Sequence, residues 1–402
     1  MANLRPRTSR PPFPAKQAFE IPPGGPVRMY WERMHVAKED EFKGITPDGE
    51  VAPELFSIKK TGVSVQPIID ADKAFTASLT EGEKSIALFN VDDRAWRMWC
   101  NIHPYLIRHG VCLDDVGDSQ RARALDLVGA SMSAAGFKTA RDVMKLNEHI
   151  LEITGRDTEY GEWVYWMSVF GEPSATEPWG WQIDGHHLIV NCLVLGDQIV
   201  MTPNFMGSEP VTAESGKYAG TTVFRDEESL GLAMMRSLTP AQQEKARIGM
   251  KLPFDCFTTA FHDNEHIKYE GIPYGELTAE QKKLLHKLIE LYVGRIRPGH
   301  AEIRLEEVMN HIDETWFAWI GEVDDTSPFY YRVHSPVILI EFDDQPGIAL
   351  DNDDHTRNHI HTLVRTPNGN DYGKDLLRQH YEDFDHSHPH TPHRMGNPRA
   401  AK

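Results

Sequence analysis

The chain has 402 residues, 40% of them hydrophobic, enough to bury a large core as one big domain or two closely joined ones. Its formal charge is −18, with 20 histidines uncounted, so it repels phosphate backbones and anionic lipid at long range and duplex nucleic acid is not an expected partner. Four scattered cysteines without a C-x-x-C pair argue against a disulfide framework.

The opening MANLRPRTSRPPFPAKQ is basic and Pro-rich and lacks the apolar run of a secretion signal. No stretch approaches the ~20 apolar residues of a membrane span, so the expected setting is the cytoplasm. Residues 1–67 read as a Pro/Gly-rich arm that wraps the domain or exchanges contacts in a homodimer. Helices follow. DADKAFTASL opens on an Asp suited to capping. DSQRARALDLVGASMSAAG has apolar residues at helical spacing and is expected to stop near Gly136, and TARDVMKLNEHILEITG repeats the pattern and stops at Gly155. EWVYWMSVFG and HLIVNCLVLGDQIVMTPNF then read as strands, with a tight hairpin at Gly196-Asp197.

A second helical block begins with LTPAQQEKARIG and LTAEQKKLLHKLIELYVGRI. Thr239 with Gln242, and Thr278 with Gln281, are capping boxes. Their shared L-T-x-x-Q phrase reads as local helix chemistry and not as a domain repeat. TWFAWIGEV, PFYYRV and PVILIEFD return to strands, and GKDLLRQHYEDF predicts a last short helix. This order predicts an α+β fold with an antiparallel or mixed sheet and two helical blocks packed around it. Residues 68–384 form its single domain, and 385–402 a His-rich tail.

Three segments carry the chemistry. In NHIHTLVR, alternation puts His359, His361, Leu363 and Arg365 on one strand face. Imidazoles two residues apart stand ~7 Å apart at their bases, from ~3.3 Å per residue. Both rings can therefore converge on one ion. In PVILIEFDD, Glu341 follows four apolar residues, and a buried carboxylate there requires a partner: the ion, or Arg365. In WGWQIDGHHLIVN, His187 shares a face with Asn191, while His186 points the other way as a packed or supporting ring that Asp184 could orient. Trp179 and Trp181 stand as pocket walls or as aromatic core.

Two other histidine groups rank lower. FHDNEH has Asp263 where the H-E-x-x-H motif has Glu, so His262 and His266 read as loop polarity. DHSHPHTPH, with His386, His388, His390 and His393, is broken by prolines and reads as an adventitious chelator. Nucleotide-binding glycine loops and a G-x-S-x-G elbow are missing from the sequence.

PWGWQIDGHHLIVN, FYYRVHSPVILIEFDD and NHIHTLVRTPNGNDYGKDLLRQHY together resemble the family catalogued as domain of unknown function 3500, from the first helices to His380. The resemblance implies one large domain and lends no catalytic residues. Cupins also place H-x-H on a strand, but there a Glu follows within a few residues, where this chain has Arg365.

The expectation is a metal-dependent enzyme acting on a small anionic molecule by a hydrolytic or other non-redox polar reaction. His187, His359 and His361 hold one divalent ion (Zn, Fe or Mn). Glu341 is the fourth ligand or base, and Arg365 grips the substrate's anionic group, with Trp181 and Asn191 beside it. The alternatives are a non-haem iron oxygenase, a metal-free acid–base enzyme, and a binding or structural module in which the same residues form a satisfied polar network.

Overall fold

The computed structural model describes residues 5–8, 13–17, 19–101, 106 and 109–383. The tail 385–402 with its four histidines, and part of the arm, lie outside the described residues.

Ten helices occur among the described residues: α1 (Pro26–Glu39), α2 (Gln66–Ser78), α3 (Glu81–Ala87), α4 (Asp118–Ser131), α5 (Ala134–Thr154), α6 (Arg225–Ser237), α7 (Pro240–Ala246), α8 (Ala279–Val293), α9 (His300–Asn310) and α10 (Lys374–Asp383). The strands are β1 (Leu88–Phe89), β2 (Val111–Cys112), β3 (Tyr165–Phe170), β4 (Trp179–Gly185), β5 (Leu188–Leu195), β6 (Gln198–Val200), β7 (Asn204–Ser208), β8 (Arg247–Gly249), β9 (Ile272–Pro273), β10 (Trp316–Gly321), β11 (Phe329–His334), β12 (Leu339–Pro346) and β13 (His355–Arg365). All join one mixed sheet ordered β1-β3-β4-β5-β7-β13-β12-β11-β10-β8, with β2, β6 and β9 attached to β3, β5 and β10. The β1–β3 and β8–β10 pairs are parallel and the other strand pairs antiparallel. The chain is therefore α+β, as its alternating helical and strand blocks predict.

Local chemistry sets the element ends. Thr239 and Thr278 accept from the amides of Gln242 and Gln281, whose side chains reach back to the capping residues' own amides. Gly155 ends α5 in the left-handed region at φ 68°, where a Cβ is disfavoured. Two boundaries differ from expectation. Helix α2 begins at Gln66, with a proline in its first turn, ahead of Asp70, the residue expected to cap it. Helix α4 ends at Ser131 and α5 begins at Ala134, because Ser133 caps α5 through the Gly136 amide.

The topology contains a duplication. Outward from the central β7–β13 pair, one side runs β5, β4, β3, then parallel β1 and antiparallel β2. The other runs β12, β11, β10, then parallel β8 and antiparallel β9. Helices α2 to α5 lead into the first set as α6 to α9 lead into the second. The repeat partner of α7 is thus α3, which also follows a Leu-Thr and has a capping box between Thr80 and Glu83. The L-T-x-x-Q phrases at α7 and α8 are local, as read, while the repeat operates at the scale of half the chain. The halves also cross at Met132 and Ile296, where the Ser133 amide donates to the Arg295 carbonyl at 3.0 Å and the Arg297 amide to Ser131 at 3.1 Å.

Alternation sorts the two sheet faces. Ile340, Phe342, Ile360 and Val364 join the large core beneath the helices. Leu363 belongs instead to a second core with Tyr30, Trp96, Trp99, Ile189, Phe205 and Phe261, under α1 and the segments 94–101 and 250–267. His359, His361 and Arg365 share that second face with Leu363, as the two-residue period requires.

Two outcomes test this packing. A Cβ on Gly136 would lie 2.3 Å from the Arg295 carbonyl oxygen, which is backbone and cannot yield cheaply. Gly136→Ala should therefore destabilise the fold by about 1–3 kcal/mol in denaturant melts, although alanine is the better helix former. Asp72 is fully buried on α2, and neither carboxylate oxygen has a hydrogen-bond partner among the described residues. Burial, opposed weakly by Lys73, raises its pKa to about 7. A folded value above the unfolded one means that stability falls as pH rises from about 4 to about 7 and stays low above that. Asp72→Asn should gain stability on the order of a few kcal/mol at pH 8, with the gain vanishing near pH 4.

Candidate metal centre

The β4–β5 hairpin turns on His186 and His187, and His187 takes the left-handed conformation, φ 61°. Only a minority of non-glycine residues do so. Its carbonyl accepts from the Gly207 amide at 2.8 Å, which ties the turn to β7. Gly207 in turn lies opposite His361 on β13. A Cβ there would stand 2.8 Å from Cδ2 of His361 and 3.3 Å from Cδ2 of His187, so only glycine leaves room for both rings.

The three Nε2 atoms form a nearly equilateral triangle. His359 and His187 are 3.2 Å apart, His359 and His361 3.1 Å, and His361 and His187 3.1 Å. All three residues are buried. The far side of two rings fixes their tautomers. His359 Nδ1 lies 2.7 Å from the Pro346 carbonyl, which can only accept, so Nδ1 carries the proton. His361 Nδ1 lies 2.8 Å from Asp255 Oδ1. Although burial alone would raise the Asp255 pKa, His361, Tyr30 and Thr259 hold it at about 2, so the carboxylate is ionised and accepts. Burial, aided by the neighbouring His361, lowers His359 to about 3 and keeps it neutral. His359, neutral with Nδ1 protonated, turns a bare lone pair inward at Nε2, and His361, with Nδ1 on the Asp255 carboxylate, also aims Nε2 inward. A single proton cannot bridge three nitrogens at these distances, whereas one cation can. With metal–nitrogen bonds of ~2.0–2.1 Å, these edges give N–metal–N angles of roughly 100°, a facial set with positions left open.

Supports surround the triangle. Glu209 is buried, accepts from the amides of Ile348, Ala349 and Leu350, and lies 3.8 Å from His359 Nδ1. His186 stacks on His187 with ring centroids 4.0 Å apart and is held at Nδ1 by Asn147 Oδ1 at 2.8 Å. A cavity of about 250 Å³ borders the outer side of Asp255, lined by Met29, Tyr30, Arg33, Phe254, Phe257 and His262 among others.

The structure brings together His187, His359 and His361 and assigns other work to the remaining expected site residues. Glu341 does not join the three-histidine group. One oxygen accepts from the Phe257 amide and Tyr330 Oη, both at 2.7 Å, and the other from the Thr258 amide and hydroxyl, so it anchors the 257–258 loop. Arg365 is paired within the protein, and not with Glu341. It binds Asp371 at 2.8 Å and the carbonyls of Thr258 and Thr259, and is completely buried. Trp181 faces the helices and donates to Ser131 Oγ at 3.0 Å. Asn191 shares the His187 face but is tied to Gln182 and the Pro203 carbonyl. Asp184 accepts from the Cys100 amide and orients neither histidine.

Asp255, Pro346, Glu209 and Tyr30 escaped the sequence reading. The usable signal was PFDCFTT, an acid in an otherwise apolar loop. Asp255, Cys256 and Asp343 also cluster closely enough to suggest an ion. However, both Asp255 oxygens are engaged, by His361 and the Cys256 amide on one side and by Tyr30 and Thr259 on the other. Burial, then the nearby carboxylates, keep the Cys256 thiol and the Asp343 carboxyl protonated far above their usual ranges.

An α+β chain with a duplicated topology and a buried three-histidine cluster at its central strand pair is the class that fold and site define. Residues 61–374 match the family described as protein of unknown function (DUF3500), and the chain belongs to that family. No curated protein and no solved structure matches it.

The Arg365 assignment is testable. Arg365→Met leaves Asp371 buried without its charge partner and should cost about 3–5 kcal/mol in urea melts. An arginine whose role was to grip ligand could be replaced at little cost to the apoprotein.

Proposed function

We propose that His187, His359 and His361 bind one divalent metal ion and that the protein is a metal-dependent enzyme that activates water for attack on a small molecule. The single observation behind this reading is the convergence of three Nε2 atoms within 3.1–3.2 Å of one another. Three neutral imidazoles leave the full double charge on the ion, which favours bound hydroxide. An ion so placed can lower the pKa of water to about 7. Zinc fits the ligand type and the open facial geometry best. The oxygenase alternative calls for two histidines and a carboxylate, whereas the third donor here is an imidazole. Arg365 and Glu341 are committed elsewhere, so the substrate proposal narrows to a small molecule without a stated charge.

Elemental analysis after a chelating-resin wash tests the reading on full-length protein. The wild type should retain one equivalent of metal more than His361→Ala, while Gly207→Ala should bind more weakly because its Cβ displaces two rings. The His-rich tail is common to all three and cancels in the comparison. Equal metal content in wild type and His361→Ala would defeat the proposal.

A further inference from the structure

We infer that the N-terminal arm supplies the outer shell of this metal centre, with Arg7 and Tyr30 as positioning residues that set how tightly the triad holds its ion. This rests on the metal reading above and extends it to a segment that the family match does not reach, since the match begins at residue 61.

Two separate parts of the arm reach two different ligands. Tyr30, on α1 and 1% exposed, donates from Oη to Asp255 Oδ2 at 2.6 Å. The other oxygen of Asp255 holds His361 Nδ1 at 2.8 Å. Without the phenol, Thr259 Oγ1 at 3.0 Å is the remaining hydroxyl on Oδ2, and the carboxylate is freer to rotate away from the imidazole. Arg7 acts on the other side. Its Nε donates to the Leu350 carbonyl at 3.1 Å, Nη2 to Gly347 at 3.2 Å and Asn352 at 3.1 Å, and Nη1 to Asp353 at 2.8 Å. Its amide donates to the Ala349 carbonyl at 2.8 Å, and its carbonyl accepts from Arg156 at 2.7 Å. These bonds clamp the loop that directly follows Pro346, whose carbonyl fixes His359 Nδ1 at 2.7 Å. The same loop points three amides at Glu209, the carboxylate nearest His359.

The partner on the far nitrogen of a ligating imidazole fixes its tautomer, its orientation and its basicity, and losing that partner typically weakens metal affinity about 10–100-fold. Tyr30 stands one contact behind such a partner, and Arg7 holds the loop that follows the other, so the two act on different ligands. Their effects should therefore be separable and nearly additive.

The test uses full-length wild type, Tyr30→Phe, Arg7→Gln and the double variant. Zn²⁺ alone is titrated in competition with a chromophoric chelator, and the melting of each metal-free protein is recorded in parallel. Each single variant should bind zinc more weakly by up to about 10–100-fold, and the double variant by close to the product of the two losses. Arg7→Lys, which keeps the charge but loses the fork, should behave like Arg7→Gln. Zinc affinities within twofold of wild type in both single variants, with only the metal-free melting lowered, would mean that the arm is mere packing. Absence of tight zinc binding in the wild type itself would overturn the triad reading and this inference with it.

Discussion

Three imidazole nitrogens aimed at one point are an electrostatic demand that the surrounding protein has to meet. Two of the rings have Nδ1 on a carbonyl and a carboxylate, so both aim Nε2 inward, and His359 is neutral there. Lone pairs about 3 Å apart in a dry interior repel unless a positive charge sits among them. That requirement explains the features around the triangle. His187 adopts an unfavourable backbone conformation, a glycine occupies the strand position beneath two rings, and Asp255 stays ionised in a buried setting.

The position of the triangle follows from the duplicated topology. The first half of the chain contributes His187 from the turn of its second hairpin, and the second half contributes His359 and His361 from its last strand. These meet where β7 and β13 join the halves into one sheet. An ion there would bind residues from both repeats. The centre is also not repeated, because the strand equivalent to β13 in the first half is β7, which has no histidine. The topological repeat shapes the sheet, and histidines that occur once, one from the first half and two from the second, shape the site.

The legibility of the sequence varied with the range of the interactions involved. Strand alternation is a local property, so the shared face of His359, His361 and Arg365 could be read from spacing alone, whereas His186 and His187, expected to point opposite ways on a strand, lie in a turn with His187 at φ 61° and stack with ring centroids 4.0 Å apart. Capping boxes and the Gly155 stop were legible for the same reason. The partners of buried charges were not. Glu341 and Arg365 were correctly read as needing partners, but the partners are loop amides 83–84 residues away for one and Asp371 with the Thr258 carbonyl for the other. Only the packed loop decides between those and a bond to each other. Trp181 was misplaced because an aromatic residue on a strand buried on both faces carries no periodic signal of its direction. Asp255 was invisible because its role is set by the fold of the 250–267 segment and by Tyr30, which is 225 residues away.

X-ray absorption spectroscopy at the metal edge of zinc-loaded protein tests the central claim most directly, provided that the loading is stoichiometric and that His361→Ala serves as the background for the tail. The structure predicts a first shell of nitrogen and oxygen at about 2.0–2.1 Å with outer-shell scattering from three imidazole rings, and the loss of that signature in His361→Ala. A spectrum showing sulfur ligation, or the same imidazole scattering in wild type and His361→Ala, would contradict the account.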